Sequence, residues 1–271
     1  MTGERIVNLT RLQKMKANGE KIVMLTAYDF LLTRLMEKAG VDVLLVGDSL
    51  GMTFQGEKTT IPVTLEQMIY HTRIVSRAAE RAMVVSDMPF LSYHTSAEEA
   101  VRNAGRLIKQ GRAHAVKIEG GCERAETVAR IVQSGIPVMG HIGFKPQSMH
   151  QYGNHIVQGK SEAEGQTLGE DLKAVEDAGV FAVVIEAVRS TVTEALTHQA
   201  KTPTIGIGAG PHCDGQVLVT ADLLGLFTDF KPKFVKRYAE LGETITSAVQ
   251  TFVGDVRQGR FPDADHSYGA K

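Results

Sequence analysis

Short, largely β-branched apolar runs recur along this chain, and each gives way to residues with helical spacing. The runs are "KIVMLTA" (21–27), "DVLLVGD" (42–48), "AMVVSDM" (82–88), "AVKIEGG" (115–121), "IPVMGHIG" (136–143), "FAVVIEAV" (181–188), "TPTIGIGAG" (202–210) and the weaker "LLGLF" (223–227). Their hydrophobicity is continuous rather than alternating, the pattern of parallel strands buried on both faces. Thr64 precedes "LEQMIYHTRIVSRAAE" with Gln67 three residues on, and Ser96 precedes "AEEAVRNAGRLIKQG" with Glu99 at the same offset. Both have capping-box spacing, in which the paired side chains satisfy backbone N–H groups of the first turn. Gly111 reads as a helix stop. The segment 169–178 reads as a helix ending at Gly179, and 233–258 as a terminal helix interrupted near Gly242.

Eight such runs alternating with helices fit a single α/β (β/α)8 TIM barrel better than an open doubly wound sheet. GxGxxG at a first helix and GxxxxGK[ST], the common fingerprints of open nucleotide-binding sheets, are absent. No linker or low-complexity tract divides the sequence, so the reading is one barrel domain over 1–271 with a C-terminal helical extension. Two strand-to-helix connections are unusually long: one spans 49–63, and the other, "FKPQSMHQYGNHIVQGK", starts near Phe144. In a barrel such loops lie over the C-terminal face, where a substrate binds.

Composition narrows the function. The 271 residues suffice for one barrel, which typically needs ~250. Apolar residues at 43% and charged residues at 23% allow a sizeable core. A net charge of −1 without a dense Lys/Arg block argues against nucleic acid or an anionic membrane as partner. No apolar run approaches a membrane span, and the polar N-terminus lacks a signal-peptide core. The two cysteines, Cys122 and Cys213, have no ligand spacing or paired base, so they read as packing residues in a reducing, cytoplasmic setting.

Polar residues interrupt these runs at one end. Asp48 stands where the second run leaves the core, Asp87 holds the same place in the third, Lys117 and Glu119 in the fourth, and Glu186 follows the sixth. Lys117 and Glu119 are two apart, so both side chains leave one face of a strand. Converging carboxylates repel unless a cation neutralises them, and an all-oxygen donor set suits a hard ion such as Mg²⁺, which takes one or two carboxylates and leaves room for water and substrate. Such an ion can chelate a 2-oxo acid and stabilise its enolate, with Lys117 on the substrate's negative charge and Glu186 as the base. The plainer readings are a helix cap or solvated loop acid for each carboxylate, and a structural ion pair for Lys117. "GIGAG" (206–210) resembles a phosphate cradle but also suits tight packing. His141 reads as a hydrogen-bonded wall residue rather than a metal ligand. Recurrence at the ends of four strands favours a site over these separate explanations.

The segments "TAYD", "LLVGDSLGM", "SDMPF", "VKIEGG", "GHIGFKPQS", "GIGAG", "CDGQVLV" and a terminal "DHSY" occur in an order and spacing that closely resemble the ketopantoate hydroxymethyltransferase family, over nearly the whole chain. The resemblance implies a barrel related to the phosphoenolpyruvate/pyruvate enzymes, and transfer of a one-carbon unit from 5,10-methylenetetrahydrofolate to 3-methyl-2-oxobutanoate. It implies that Asp48 and Asp87 bind Mg²⁺, with Glu119 as a further ligand, directly or through water. It also implies that Ser49 and Lys117 hold the oxo acid beside Asp48 and Asp87, that Glu186 is the base, and that the chain forms a homo-oligomer, commonly a decamer. Two departures stand out. Asn154 and Ile156 replace a glycine pair and a basic residue of the family, which bears on folate contact and lid behaviour rather than on the metal centre. Arg189 stands where the family commonly has proline, moving a positive charge towards the folate's glutamyl tail or towards solvent. Beside this activity stand a folate-independent lyase or aldolase, a Schiff-base aldolase using Lys117, and a non-catalytic binding barrel.

Overall fold

Seven of the eight apolar runs form strands where the pattern places them: β1 (Ile22–Thr26), β2 (Val43–Val46), β3 (Met83–Asp87), β4 (Ala115–Glu119), β5 (Val138–Gly143), β6 (Ala182–Glu186) and β7 (Thr204–Ile207). The computed structural model describes residues 6–153, 157–227 and 232–269, and Asn154 and Ile156 lie outside them. The eighth strand is not "LLGLF" but β8 (Gly215–Leu218), which pairs with both β7 and β1 and closes an all-parallel barrel in sequence order. Its burial alternates, with Gln216 outward and Val217 inward, so it lacks the continuous apolar signature of its neighbours. In 223–227, Gly225 instead takes a left-handed φ of 65°. The carbonyls of Leu223, Leu224 and Gly225 accept backbone bonds from Tyr238, Leu241 and Gly242.

The helices are α1 (Leu9–Ala17), α2 (Phe30–Ala39), α3 (Leu50–Thr53), α4 (Leu65–Ala78), α5 (Ala97–Lys109), α6 (Ala125–Gln133), α7 (Met149–Tyr152), α8 (Glu162–Asp177), α9 (Ser190–Gln199), α10 (Thr220–Leu223) and α11 (Leu241–Arg257). Both halves of the Thr64/Gln67 capping box form, and Ser96 caps α5 by accepting from the N–H of Glu99. Helix α8 begins well before residue 169, capped by Ser161; Gly165 and Gly169 dilute its apolar spacing. The terminal helix starts only at Leu241; Tyr238 before it and Leu241 and Gly242 in its first turn donate their N–H groups to the carbonyls of 223–225. The chain divides into two compact units, Met1–Val219 with all eight strands and Thr220–Lys271 with α10 and α11. Among the described residues no helix is long and apolar enough to cross a membrane.

Alternation along each strand sorts side chains into two layers. Leu44, Val84, Val116, Ile118, Val183 and Ile185 pack in one cluster with helix residues such as Met68, Val75 and Leu107. Met24, Val43, Leu45, Met83, Val85, Ala115, Met139 and Val184 form a second cluster with Leu12 and Met15 of α1, and these fill the barrel interior. Val7 N–H donates to the carbonyl of Arg81 before β3, and Lys16 pairs with Asp214 before β8, so α1 covers the N-terminal end. Each such aliphatic side chain contributes ~1.5–3 kcal/mol on burial, enough for the lower layers to offset a polar layer above.

Candidate active site

Following interior parity up each strand leads from Met83 and Val85 to Asp87, from Ala115 to Lys117 and Glu119, from Met139 to His141, and from Val184 to Glu186. Asp87 lies beside Lys117 in the β3–β4 register, and Glu119 beside His141 in β4–β5. Each polar residue is therefore an inward position of the topmost layer. Asp48 joins from the turn after β2, where its N–H donates to Asp87 Oδ2 at 3.1 Å. Gly47 makes this approach possible: a Cβ there would stand 2.7 Å from Ser49 Oγ and 3.5 Å from Asp87 Oδ2. Ser49 Oγ shares a 2.8 Å hydrogen bond with Tyr28 Oη. Gly143, at φ 91°, is needed on the opposite wall, since a Cβ would lie 2.3 Å from the carbonyl oxygen of Glu186.

Lys117 links the two sides of the cluster. Its Nζ lies 3.0 Å from Asp87 Oδ1 and 3.1 Å from His141 Nδ1, while His141 Nε2 faces Glu186 Oε2 at 3.2 Å. Burial alone works against a charged lysine here, but Asp87, Glu119 and Asp48 outweigh it and hold its pKa above the ordinary value. A lysine held towards its charged form is a poor nucleophile, which argues against the Schiff-base reading. Burial and Lys117 depress His141 well below the usual histidine range, so its ring is neutral. Since Lys117 can only donate, Nδ1 is the acceptor, and the ring proton belongs on Nε2, towards Glu186.

The acids are under electrostatic stress. Burial, then repulsion from Asp87 and Glu119, raises Asp48 well above the carboxylate range. Burial pushes Glu119 up to about 8 against the opposing pull of Lys117. Without a metal, the folded protein therefore holds this proton from the ordinary value of 4.5 up to about 8 while the unfolded chain does not, and by linkage stability falls across that window and levels off above it. His94, held down to about 4 by burial and Arg124, acts in the opposite sense in acid, where stability falls as pH drops from 6.5. Chelator-treated protein is expected to melt at a lower temperature above pH ~8 than near neutrality, with saturating divalent ion removing most of that difference. A melting temperature flat across this range with chelator present contradicts the reading.

The donor set fits a hard divalent cation. Asp48, Asp87 and Glu119 are at most 5% exposed, and the Lys117 ammonium pairs with Asp87. Asp87 Oδ1, despite that ion-pair neighbour, has no hydrogen bond. Among the described residues, no three of His, Cys, Asp or Glu converge closely enough to make a cage by themselves. A site with one or two direct carboxylates and the remaining positions on water or substrate is the mode Mg²⁺ prefers.

The residues expected from sequence, Asp48, Ser49, Asp87, Lys117, Glu119 and Glu186, thus meet at one end of the barrel, and His141 lies among them. Three participants had escaped notice. Tyr28 holds Ser49, while Gln147 and Tyr93 brace the acids from the loop side. Gln147 falls in the quoted "FKPQS", but nothing in its own pattern distinguishes it from a loop amide. In "GIGAG", Gly210 packs against Ser190, where a Cβ would meet Oγ at 2.3 Å, so close packing accounts for it. Arg189 is exposed and donates to the carbonyl of Lys160.

The sequence model described as ketopantoate hydroxymethyltransferase matches residues 6–264. The 3-methyl-2-oxobutanoate hydroxymethyltransferase of Geobacter metallireducens is 54% identical over 257 residues, covering 95% of this chain and 96% of its own. That of Moorella thermoacetica is 55% identical over 262 residues, covering 97% of each. Among solved structures, 2,3-dimethylmalate lyase, a member of the PEP mutase/isocitrate lyase superfamily, matches with a TM-score of 0.61 at 16% identity, over 96% of this chain and 88% of that one. Phosphonopyruvate hydrolase matches with a TM-score of 0.63 at 11% identity, over 98% and 92%. These distant likenesses concern the fold alone.

Proposed function

The chain belongs to the ketopantoate hydroxymethyltransferase family, and from that premise we propose how its residues divide the work of adding a hydroxymethyl group to 3-methyl-2-oxobutanoate, a step of pantothenate biosynthesis. Asp48 and Asp87 hold Mg²⁺, with Glu119 as a further ligand, directly or through water. When bound, the ion polarises the substrate's keto oxygen as a Lewis acid. Ser49 and the charged Lys117 hold the oxo acid beside them. Glu186 removes the proton from C3, with His141 Nε2 3.2 Å from its carboxylate. The enolate then attacks the methylene carbon of 5,10-methylenetetrahydrofolate in its opened iminium form to make the C–C bond, and water supplies the hydroxyl as the C–N bond to the folate breaks, so that 2-dehydropantoate and tetrahydrofolate leave. A cytoplasmic homo-oligomer, a decamer on the family's pattern, is part of the same proposal.

One observation carries this reading. His141 stands between Lys117 on one ring nitrogen and Glu186 on the other, so the anion-binding cation and the base are held one imidazole apart. Asp48, Asp87 and Glu119 group on the Lys117 side, which leaves the substrate's charged end facing the acids' cation and C3 facing Glu186. The test is hydrogen isotope exchange at C3 of 3-methyl-2-oxobutanoate. Exchange is expected to need Mg²⁺ but not folate, product formation to need both, and EDTA to stop each. Exchange undiminished in EDTA, or turnover without added methylenetetrahydrofolate, overturns it and favours a folate-independent aldolase.

A further inference from the structure

The loop after β5 reaches over the acidic cluster through Gln147, a 4% exposed residue on the turn Pro146–Ser148. Its side-chain amide nitrogen donates to Asp48 Oδ2 at 2.8 Å and to the carbonyl of Met88 at 3.0 Å. Its backbone N–H donates to Glu119 Oε2 at 3.0 Å. Its amide oxygen accepts from Tyr93 Oη at 2.7 Å. Chemistry fixes this orientation. The Met88 carbonyl can only accept, so Nε2 must face it, and a flipped amide would set its oxygen against that acceptor.

One residue thus occupies Oδ2 of Asp48 and Oε2 of Glu119, and the other oxygen of each is turned away from Gln147, Glu119 Oε1 lying 3.7 Å from His141 Nδ1. Asp48 comes from the turn after β2 and Glu119 from the end of β4, and Gln147 hydrogen-bonds both. We infer that Gln147 is the positioning residue of the divalent-ion site: it holds Asp48 and Glu119 so that each presents a single oxygen, and Tyr93 holds Gln147. The inference rests on the metal reading above and adds a residue that reading does not contain. Because the amide lies at the start of a long loop over the catalytic face, it also makes the seating of residues 145–152 and the geometry of the acids one arrangement.

The test is Mn²⁺ binding to chelator-stripped, full-length protein, followed by electron paramagnetic resonance, with folding checked by circular dichroism. Gln147→Met keeps the length of the side chain and removes the amide. It is expected to weaken Mn²⁺ binding by about 10- to 100-fold, the range for orienting partners of metal ligands. Tyr93→Phe removes the 2.7 Å brace on the amide, together with a longer 3.3 Å bond to the Glu119 carbonyl, and is expected to weaken binding less, in the same direction. It carries the test if Gln147→Met does not fold. A purely structural amide would lower the melting temperature and leave Mn²⁺ affinity unchanged, and wild-type affinity in folded variants overturns the inference. Asp48→Ala separates the two levels. If it abolishes binding while Gln147→Met and Tyr93→Phe do not alter it, only this inference falls. If Asp48→Ala binds Mn²⁺ as the wild type does, the metal reading falls and this inference with it.

Discussion

Glu186→Gln is expected to lower turnover by about 10²- to 10⁴-fold, the usual contribution of a positioned general base, with little change in the KM for the oxo acid. The substitution keeps size and hydrogen-bonding capacity but removes proton affinity. Glu186 faces His141 Nε2 at 3.2 Å, while Lys117 pairs with Asp87, so the amide keeps the shape of the wall beside His141. Its backbone is also held independently of its side chain. Phe144 N–H donates to its carbonyl at 2.8 Å, and the next residue, Ala187, sits at a left-handed φ of 50°. Loss of C3 proton exchange should parallel loss of turnover. A variant that exchanges that proton at the wild-type rate would remove Glu186 from the chemistry.

Lys117→Met is expected to be the most disruptive single change for stability. Lys117 is 4% exposed and is the only cation among the described residues paired with Asp87, with Asp48 and Glu119 close enough to raise its pKa. Removing one partner of a buried ion pair typically costs about 3–5 kcal/mol, because the remaining charge loses its compensation. In a domain of this size that corresponds to a fall in melting temperature of roughly 10 °C. Two readouts separate this electrostatic cause from lost packing. The deficit should shrink as pH is lowered from alkaline towards neutral, where carboxylates retain protons, and it should shrink with added Mg²⁺. The KM for the oxo acid should rise in parallel, since the substrate loses its cation. A variant that melts like the wild type and keeps its KM would leave Lys117 without either role.

The chain's own pattern contained more of this site than its motifs suggest. In β3, β4, β5 and β6, counting in twos from the interior aliphatic residues lands on Asp87, Lys117 and Glu119, His141, and Glu186. That arithmetic needs only the strand period. The eighth strand failed the same reading because Gln216 faces outward and only Val217 marks it as core, so "LLGLF" looked stronger while lying in a turn. Helix α8 was read short because Gly165 and Gly169 blur its spacing.

Strand period, cap spacing and apolar continuity are local properties, set by bonds between near neighbours in the chain. They determined the alternating elements, the barrel class and which side chains share a face. Which faces meet, and at what distance, depends on barrel closure and on a loop returning over it, and only the tertiary structure decided those. Gln147 lies 99 residues from Asp48 and 28 from Glu119. A buried amide that satisfies two acids so far apart in sequence leaves no periodic trace, because its partners are chosen by the closed sheet and not by its neighbours. The same closure places His141 between Lys117 and Glu186 and thereby sets which nitrogen of its ring carries the proton.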